Sequence, residues 1–352
     1  MSVVKQYNTF WRKRLWFVLA SALLLVVVAG YAIFSGSASI NLNTLWTLIQ
    51  GNASEFEQQI VLYIRLPRIL AAIFAGTALA VSGAVMQSIL RNPLASPFTL
   101  GISSAAAFGA AFAIVVISSG SAHAINYSFY SGSLSVVISA FLWSMLSLVV
   151  ILMVSKKKGA NPEIIILSGI VVSSLFGAGL SALQFVATEV QLASIIFWSF
   201  GDLGRASWTD VRTILCVLVP LLGFFFTQSW NYKSLQSGDE YAKSLGINVS
   251  GVRLAGLIAA SLCTAVVVSF YGIIAFVGLV VPHIVRKCIG SDEAFIIPAS
   301  AVFGGVFLLF SDTLARTLIS PVILPVGILT SFIGAPLFLF LLLKGVGKGF
   351  WN

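Results

Sequence analysis

Long hydrophobic runs alternate with short polar stretches along almost the whole chain. About ten of these runs reach the roughly 20 residues that a helix needs to cross a bilayer. The pattern therefore predicts an all-α, polytopic integral membrane protein with about ten transmembrane helices. The predicted spans are Leu15–Phe34, Arg68–Ile89, Phe98–Ile117, Leu134–Val154, Glu163–Leu183, Val211–Gln228, Val252–Phe270, Ile273–Cys288, Ala294–Ser311 and Pro325–Leu343.

The composition agrees with this class. Hydrophobic residues make up 59% of the chain and charged residues only 9%, whereas a soluble domain carries about 25% charged residues. No polar segment is large enough for a separate soluble domain, so residues 1–352 are predicted to form one transmembrane domain in contact with membrane lipid. The net charge is +9, but the basic residues do not cluster with aromatic ones, so we expect no nucleic-acid partner.

The lysines and arginines predict the orientation of the chain. The cytoplasmic side of a membrane protein carries the excess of basic residues. With both termini in the cytoplasm, only five of the 20 basic residues fall on the outer side, namely Arg65, Arg68, Arg205, Arg212 and Arg316. Both termini, and the polar stretch from Ser237 to Gly246, are therefore predicted to be cytoplasmic.

That polar stretch, between the sixth and seventh runs, is predicted to form a short amphipathic helix. Ser237 or Asp239 can cap its start, Asp239 and Lys243 are spaced to pair across one turn, and Gly246 can adopt the left-handed conformation that ends a helix. Two interpretations remain open. The helix is either a docking element for a soluble partner or an ordinary capped helix in a loop.

Candidate catalytic chemistry is absent from the sequence. There is no G-x-x-x-x-G-K-[ST] loop, no H-E-x-x-H motif and no Ser-His-Asp order, and the cysteines show no metal spacing. The chain is therefore predicted to be no enzyme and to hold no cofactor or metal of its own. The spans are nearly free of ionisable residues in their middles, whereas an ion-coupled secondary transporter usually needs one. Asp312 comes closest, and its spacing from Arg316 predicts an ion pair at the surface.

Small residues recur at every fourth position in two spans. Ala72, Gly76 and Ala80 form one such stripe, and Gly169, Ser173, Gly177 and Ser181 form another. Such stripes allow helix backbones to approach closely. They can also line a smooth pathway for a bulky solute, and one helix can serve both purposes.

Several motifs, in order along nearly the whole chain, resemble the FecCD-type permease subunits of bacterial type II ABC importers for iron–siderophore, haem and cobalamin. These motifs are Arg65-Leu-Pro-Arg68, Gly83–Gln87, Asn92–Pro97, Trp198–Gly201, Asp239–Gly246, Gly278–His283, Asp312–Arg316 and Leu324–Gly327. The resemblance implies a ten-helix permease in the bacterial cytoplasmic (inner) membrane. It also implies a second permease subunit, identical or homologous, two ATP-binding subunits that hold ATP and Mg²⁺, and a periplasmic or lipid-anchored solute-binding protein.

The resemblance also implies roles for individual residues. The cytoplasmic loop between the sixth and seventh spans, residues 230–252 here, carries the coupling helices in this family. The residues expected to couple to the ATPase are Ser237, Asp239, Glu240, Ala242, Leu245 and Gly246. On the outer face, Arg65, Arg68 and Arg316 match arginines that hold acidic residues of the binding protein. Interfacial snorkelling is the competing interpretation of these arginines.

The pathway is expected along the interface of the two permeases, lined by Gly169, Ser173, Gly177 and Ser181 of the fifth span. A cytoplasmic gate is expected at Asn161, Pro162 and Glu163, where family members often carry small hydroxyl residues, so this sequence departs from the pattern. The expected cargo is a ferric siderophore, because such systems form the largest part of the family. Haem or cobalamin, carried by the same machinery, is the alternative.

Overall fold

The structure is a computed structural model that describes residues 3–36, 40–117, 134–157 and 159–345. Within these ranges the chain is built from helices joined by turns and short loops, and it forms no β-strand. The terminal residues 1–2 and 346–352, which the charge pattern predicts to be cytoplasmic, lie outside the described residues.

We number the helices in chain order. The first seven are α1 (Val3–Phe34), α2 (Leu42–Ile49), α3 (Glu55–Ile89), α4 (Ile102–Ile117), α5 (Leu134–Lys157), α6 (Pro162–Val186) and α7 (Glu189–Ser199). The rest are α8 (Trp208–Thr227), α9 (Ser229–Gln236), α10 (Asp239–Ser244), α11 (Val249–Tyr271), α12 (Val277–Ile289), α13 (Glu293–Thr317) and α14 (Val326–Gly345). Residues Gln59–Arg65 form a π-helical segment within α3.

Each predicted span falls on one of these helices. In the described part of the chain, 7 helices are long and apolar enough to cross a membrane, namely α1, α3, α5, α6, α8, α11 and α13. The remaining three predicted spans correspond to α4, α12 and α14. The all-α polytopic fold predicted from the hydrophobic runs is therefore confirmed.

Two spans, α4 and α12, are shorter than predicted. Helix α4 begins only after Gly101, whose φ is +78°, and the preceding residues form turns. Helix α12 begins after Phe276, whose φ of +67° is left-handed, a conformation that costs a non-glycine residue roughly 1–2 kcal/mol. Gly278 of α12 lies against the Leu79 carbonyl of α3. Helix α12 therefore starts part-way along its neighbour instead of at the membrane surface.

The centre of the bundle is formed by α3 packed against α11, α12 and α13. A Cβ atom on Gly76 would meet the backbone of Gly304, and one on Gly83 would meet the backbone of Gly278. Only glycine allows these backbone approaches, which maximise dispersion contacts where water provides no hydrophobic driving force. The stripe that contains Gly76 is thus a packing stripe, as its spacing indicates.

Charged residues form ion pairs at two opposite ends of the bundle. Arg14 of α1 and Lys233 of α9 both pair with Asp292, at 3.1 and 3.3 Å, at one end. Arg68 and Arg316 meet Asp312 at the opposite end. We refer to these as the inner and outer ends, after the orientation predicted from the basic residues.

Candidate functional site

The polar gap between α8 and α11 folds into two short helices, α9 and α10, at the inner end. Gly238 joins them with φ +118° and ψ +152°, a conformation essentially restricted to glycine. Helix α10 ends as predicted, because Gly246 adopts a left-handed φ of +78°. The predicted coupling residues all lie on this element. Ser237, Glu240, Leu245 and Gly246 are exposed, Asp239 is half-buried and Ala242 is buried.

Two predicted details of this helix are wrong. The residue before α10 is Gly238, which provides no side-chain cap, so neither Ser237 nor Asp239 caps the helix. Lys243 pairs with Glu240 at 2.9 Å rather than with Asp239. Asp239 instead faces α11, where a buried guanidinium offers two charge-assisted hydrogen bonds, which are stronger than one exposed pair with a lysine.

That guanidinium belongs to Arg253, whose side chain is only 1% exposed. Arg253 donates to the two carboxylate oxygens of Asp239 at 2.8 and 3.3 Å. It also donates to the carbonyl of Ile89 at the end of α3, at 2.8 Å, and to the carbonyl of Ala160 just before α6, at 2.9 Å. We call this set of bonds the Arg253 clasp. It joins α10 to the inner ends of α3 and α6.

The charge of Asp239 follows from these contacts. Partial burial alone would raise the pKa of its carboxyl group, but the hydrogen bond and positive charge of Arg253 outweigh that effect. Arg91, whose guanidinium lies 3.5 Å away, contributes in the same direction. The pKa of Asp239 is therefore lowered, and the clasp contains a full ion pair at neutral pH.

The predicted gate residues lie at the start of α6, directly after the clasp. The Asn161 side chain accepts a hydrogen bond from the Glu163 amide at 2.9 Å, and Pro162 occupies the first turn of the helix. A cleft of about 440 Å³ separates this turn from the segment that follows α3, around Arg91 and Pro93. The turn is therefore capped and rigid in itself but has open space beside it.

The four residues of the predicted pathway stripe on α6 have two different environments. Gly169 packs against Leu100, and Ser173 packs against Gly101, so this half of the stripe serves helix packing. A Cβ atom on Gly177 would meet nothing within 4 Å, and Ser181 is exposed. The outer half of the stripe therefore presents an open, small-residue surface.

The three predicted docking arginines line one pocket at the outer end. The pocket has a volume of about 300 Å³, and its walls include Arg65, Arg68 and Arg316. Arg65 donates to the Ile33 carbonyl at the end of α1. Arg316 donates to the Ser35 carbonyl at 3.1 Å. The arginines are thus held within the protein around a common space.

The predicted surface pair of Asp312 and Arg316 is wrong in its position. The two side chains do pair, at 3.3 Å, but they are 0% and 6% exposed. Asp312 also accepts three hydrogen bonds from Arg68 at 2.8 to 3.1 Å. The local spacing was correct, but the packing of α3 against α13 buries the pair and adds a second arginine to it.

Comparison with known proteins agrees with this architecture. A model of the FecCD transport family matches residues 23–344. The chain belongs to the FecCD transport family. A protein of Methanocaldococcus jannaschii named as an ABC transporter permease is 48% identical over 344 residues, which cover 98% of this chain and 99% of that relative. The hemin transport system permease protein of Yersinia pestis is 38% identical over 322 residues, covering 92% of this chain and 93% of the relative.

The fold of this FecCD chain also matches a solved structure. A metal-chelate type ABC transporter in an inward-facing conformation superposes with a TM-score of 0.81 and 30% sequence identity, covering 93% of this chain and 98% of that chain. The helical arrangement described above is therefore that of an ABC transporter permease.

Sequence reasoning missed a second buried ionic cluster in this FecCD-family chain. Glu293, at the start of α13, is 0% exposed and pairs with Arg286 of α12 at 3.1 Å. Gln236 of α9 donates to Glu293 and, at 3.2 Å, to the Ser88 hydroxyl of α3. In the sequence, this cluster was indicated by Arg286 and Glu293, which lie on either side of the short turn between the apolar segments that form α12 and α13. This cluster connects α9 to α3, α12 and α13.

Proposed function

We propose that this chain is the transmembrane permease subunit of an ATP-driven importer in the cytoplasmic membrane. It would pass a ferric siderophore from a solute-binding protein to the cytoplasm. The observation that carries the proposal is helix α10, an exposed element at the inner end that is fastened to the membrane core through Asp239 and Arg253. A docking helix must be accessible to its partner and connected to the part that moves, and α10 meets both requirements.

Energy would come from two ATP-binding subunits that hold ATP and Mg²⁺. Tyr241 of α10 and Leu245, the residue that follows this helix, are 52% and 49% exposed, although the tyrosine ring and the leucine side chain favour burial. An apolar contact with the ATPase would remove them from water. Closure of the ATPase pair around ATP would then displace α10 and, through it, the spans.

A second permease subunit, identical or homologous, would cover α6. The exposed side chains on this helix include Leu167, Ile170, Val171 and Leu175. Near its outer half, Gly177 and Ser181 provide the open surface described above. A pathway between two such helices would have small, uncharged walls, which suit passage of a bulky chelate without tight binding.

The solute-binding protein would dock at the outer end through the pocket of Arg65, Arg68 and Arg316. Three guanidinium groups line this space. The buried Asp312 pairs with Arg68 and Arg316. An acidic side chain of the partner would be attracted to these guanidinium groups, since arginine binds carboxylates bidentately. Snorkelling to lipid headgroups fits less well, because the arginines donate inward to carbonyl and carboxylate groups.

Relatives support the class of cargo without selecting one compound. Relatives that match most of this chain are named for hemin, for Fe(3+)-citrate and for cobalamin, at 38%, 33% and 38% identity. All three are chelates too large for a narrow ion channel. We favour a ferric siderophore within this class, and haem and cobalamin are the alternatives.

The test is uptake in cells with and without the gene. The probes are radiolabelled iron in a ferric hydroxamate siderophore, haemin and cobalamin. Uptake of each probe is measured again with a hydrolysis-dead ATPase partner and after collapse of the proton gradient. We expect gene-dependent uptake of the siderophore alone, abolished by the dead ATPase. Loss of haemin or cobalamin uptake instead would change the cargo. Uptake that survives the dead ATPase but not the loss of the gradient would overturn the proposal.

A further inference from the structure

We infer that Arg253 is the positioning residue that transmits movement of α10 to the start of α6, and that α9 stays with the scaffold while this happens. The inference rests on the proposed function and adds to it the route between the coupling helix and the gate. It follows from how differently α9 and α10 are attached to the membrane helices.

Helix α9 is attached to the scaffold. Gln236 donates to Glu293 of α13 and to Ser88 of α3. Lys233 pairs with Asp292 before α13 at 3.3 Å. These partners lie on α3 and α13, which pack directly against each other through Gly76 and Gly304. Movement of α9 would have to distort the most tightly packed part of the bundle, so we expect α9 to stay in place relative to α3 and α13.

Helix α10 has a different set of attachments. Its Asp239 is held by Arg253 and lies 3.5 Å from Arg91. The Arg253 guanidinium also holds the carbonyl of Ala160, two residues before α6. Because a guanidinium is planar and rigid, its donors keep a fixed geometry relative to one another. A shift of the Asp239 carboxylate that turns the Arg253 plane must therefore also move or release its other two acceptors, the carbonyls of Ile89 and Ala160. Ile89 ends the tightly packed α3, so Ala160 is the acceptor that can follow the movement.

Gly238 connects α9 to α10. Its backbone conformation is one that residues with a side chain rarely adopt, so this position concentrates the change of direction between α9 and α10. Hinges in proteins are a few residues that absorb a change in φ and ψ between rigid elements. A force on α10 can thus rotate it about Gly238 while α9 remains in place.

The start of α6, where the route ends, has space beside it into which it can move. The first turn of α6 is stiffened by the Asn161 cap and by Pro162, so it moves as a unit. The cleft of about 440 Å³ beside this turn provides space for that displacement. The four parts form a continuous route, from α10 through Asp239 and Arg253 to the residues predicted to form the gate.

The experiment uses the full complex with its ATPase and binding protein, reconstituted in lipid. Spin labels replace Lys243 on α10, Glu163 on α6 and Lys287 on α12, in a background without the native cysteines. The distance from 243 to 287 reports the movement of α10 against the scaffold, and the distance from 163 to 287 reports the movement of α6. Both are measured before and after ATP is trapped with vanadate.

We expect both distances to change in the wild-type background. In Asp239→Ala, and in Arg253→Gln, the 243–287 distance should still change, whereas the 163–287 distance should stay at its resting value. Substrate moved per ATP hydrolysed should fall about tenfold, within the range of measured coupling effects. Asp239→Asn, which keeps one acceptor for Arg253, should lie between these variants and the wild type.

Arg14→Gln is the matched control, because it also removes an Arg–Asp pair at the inner end, of 3.1 Å, but one that connects α1 to Asp292. It should behave as the wild type in both distances. A normal change of the 163–287 distance in Asp239→Ala would overturn the inference. Failure of that variant to retain the ATPase would also overturn it, since Asp239 would then serve docking. If the wild-type chain retains no ATPase at all, the proposed function itself has failed.

Discussion

Arg68 and Asp312, separated by 244 positions in the sequence, form a buried pair joined by three hydrogen bonds of 2.8 to 3.1 Å. Their side chains are 7% and 0% exposed. Arg316 approaches the same carboxylate at 3.3 Å. One acid therefore holds two arginines and fixes the outer end of α3 to that of α13.

Asp312→Asn is expected to destabilise the protein strongly. The variant leaves two buried guanidinium groups without their acid, and removal of one partner from a buried pair costs about 3–5 kcal/mol. The thermal unfolding temperature in detergent should fall clearly. Asp202→Asn is the control, because Asp202 lies 3.9 Å from Arg68 but is 40% exposed. Such a long pair to a solvent-exposed carboxylate contributes about 0–1 kcal/mol, so the control should unfold near the wild-type temperature. Equal loss in both variants would contradict this interpretation.

Arg65→Glu is expected to weaken association with the solute-binding protein while the permease still inserts into the membrane. The substitution places a negative charge in the pocket proposed to receive an acidic side chain. Removing such a charge-assisted contact and adding repulsion should raise the dissociation constant at least about tenfold. Surface plasmon resonance with the complex in nanodiscs measures this. Arg212→Glu is the control, since Arg212 is exposed but does not line the pocket. The affinity of this variant for the solute-binding protein should not change.

Leu245→Asp is expected to abolish association with the ATPase. Leu245 is 49% exposed, so the change should not disturb the core, but a charge in an apolar docking contact would be buried without a partner. Co-purification of the ATPase with the tagged permease is the measurement. Lys243→Ala lowers the net charge by the same amount and breaks only an exposed pair with Glu240. It should retain the ATPase, and retention by Leu245→Asp as well would refute docking at this residue.

The ion pair of the Arg253 clasp should be insensitive to pH across the physiological range. The pKa of Asp239 in the folded protein lies below its ordinary value of 3.8. A group whose pKa is lowered by folding stabilises the protein above the ordinary pKa, and this contribution is lost as the pH falls through the folded value. The difference in unfolding temperature between the wild type and Asp239→Asn should be constant from about pH 8 to 5. It should shrink only in stronger acid, and a decline near pH 6 would contradict this assignment.

Hydropathy was sufficient to predict the long apolar helices but not where α4 and α12 begin. Apolar residues continue through Phe98 and Ile274, so the hydrophobic pattern does not distinguish turns buried inside the bundle from helix. The left-handed backbone at Phe276 is set by packing of neighbouring helices and has no signature in local sequence. A glycine at that position would have indicated a break, but phenylalanine indicates continuation.

The residues predicted for each candidate site lie near one another in the structure, but most of their side-chain contacts were not predicted. Local spacing predicted that Asp239 would pair with Lys243, because a helix places those residues on one face. The observed partner, Arg253, lies in the next span and is selected by the tertiary fold. The same holds for Arg68 and Asp312. Pairing within one helix can be predicted from sequence, but pairing between helices depends on which of them pack together.

Two partners of Arg253 are the backbone carbonyls of Ile89 and Ala160, and every amino acid supplies that group. The clasp therefore constrains the path of the chain at these positions but not the identity of their side chains. Substitutions can therefore accumulate in the adjoining segment during evolution without loss of these hydrogen bonds. Asn161-Pro162-Glu163, the segment predicted to form the gate, lies directly beside Ala160. Under the proposed mechanism, a permease of this kind can change its gate residues for a new cargo while their connection to the coupling helix stays the same.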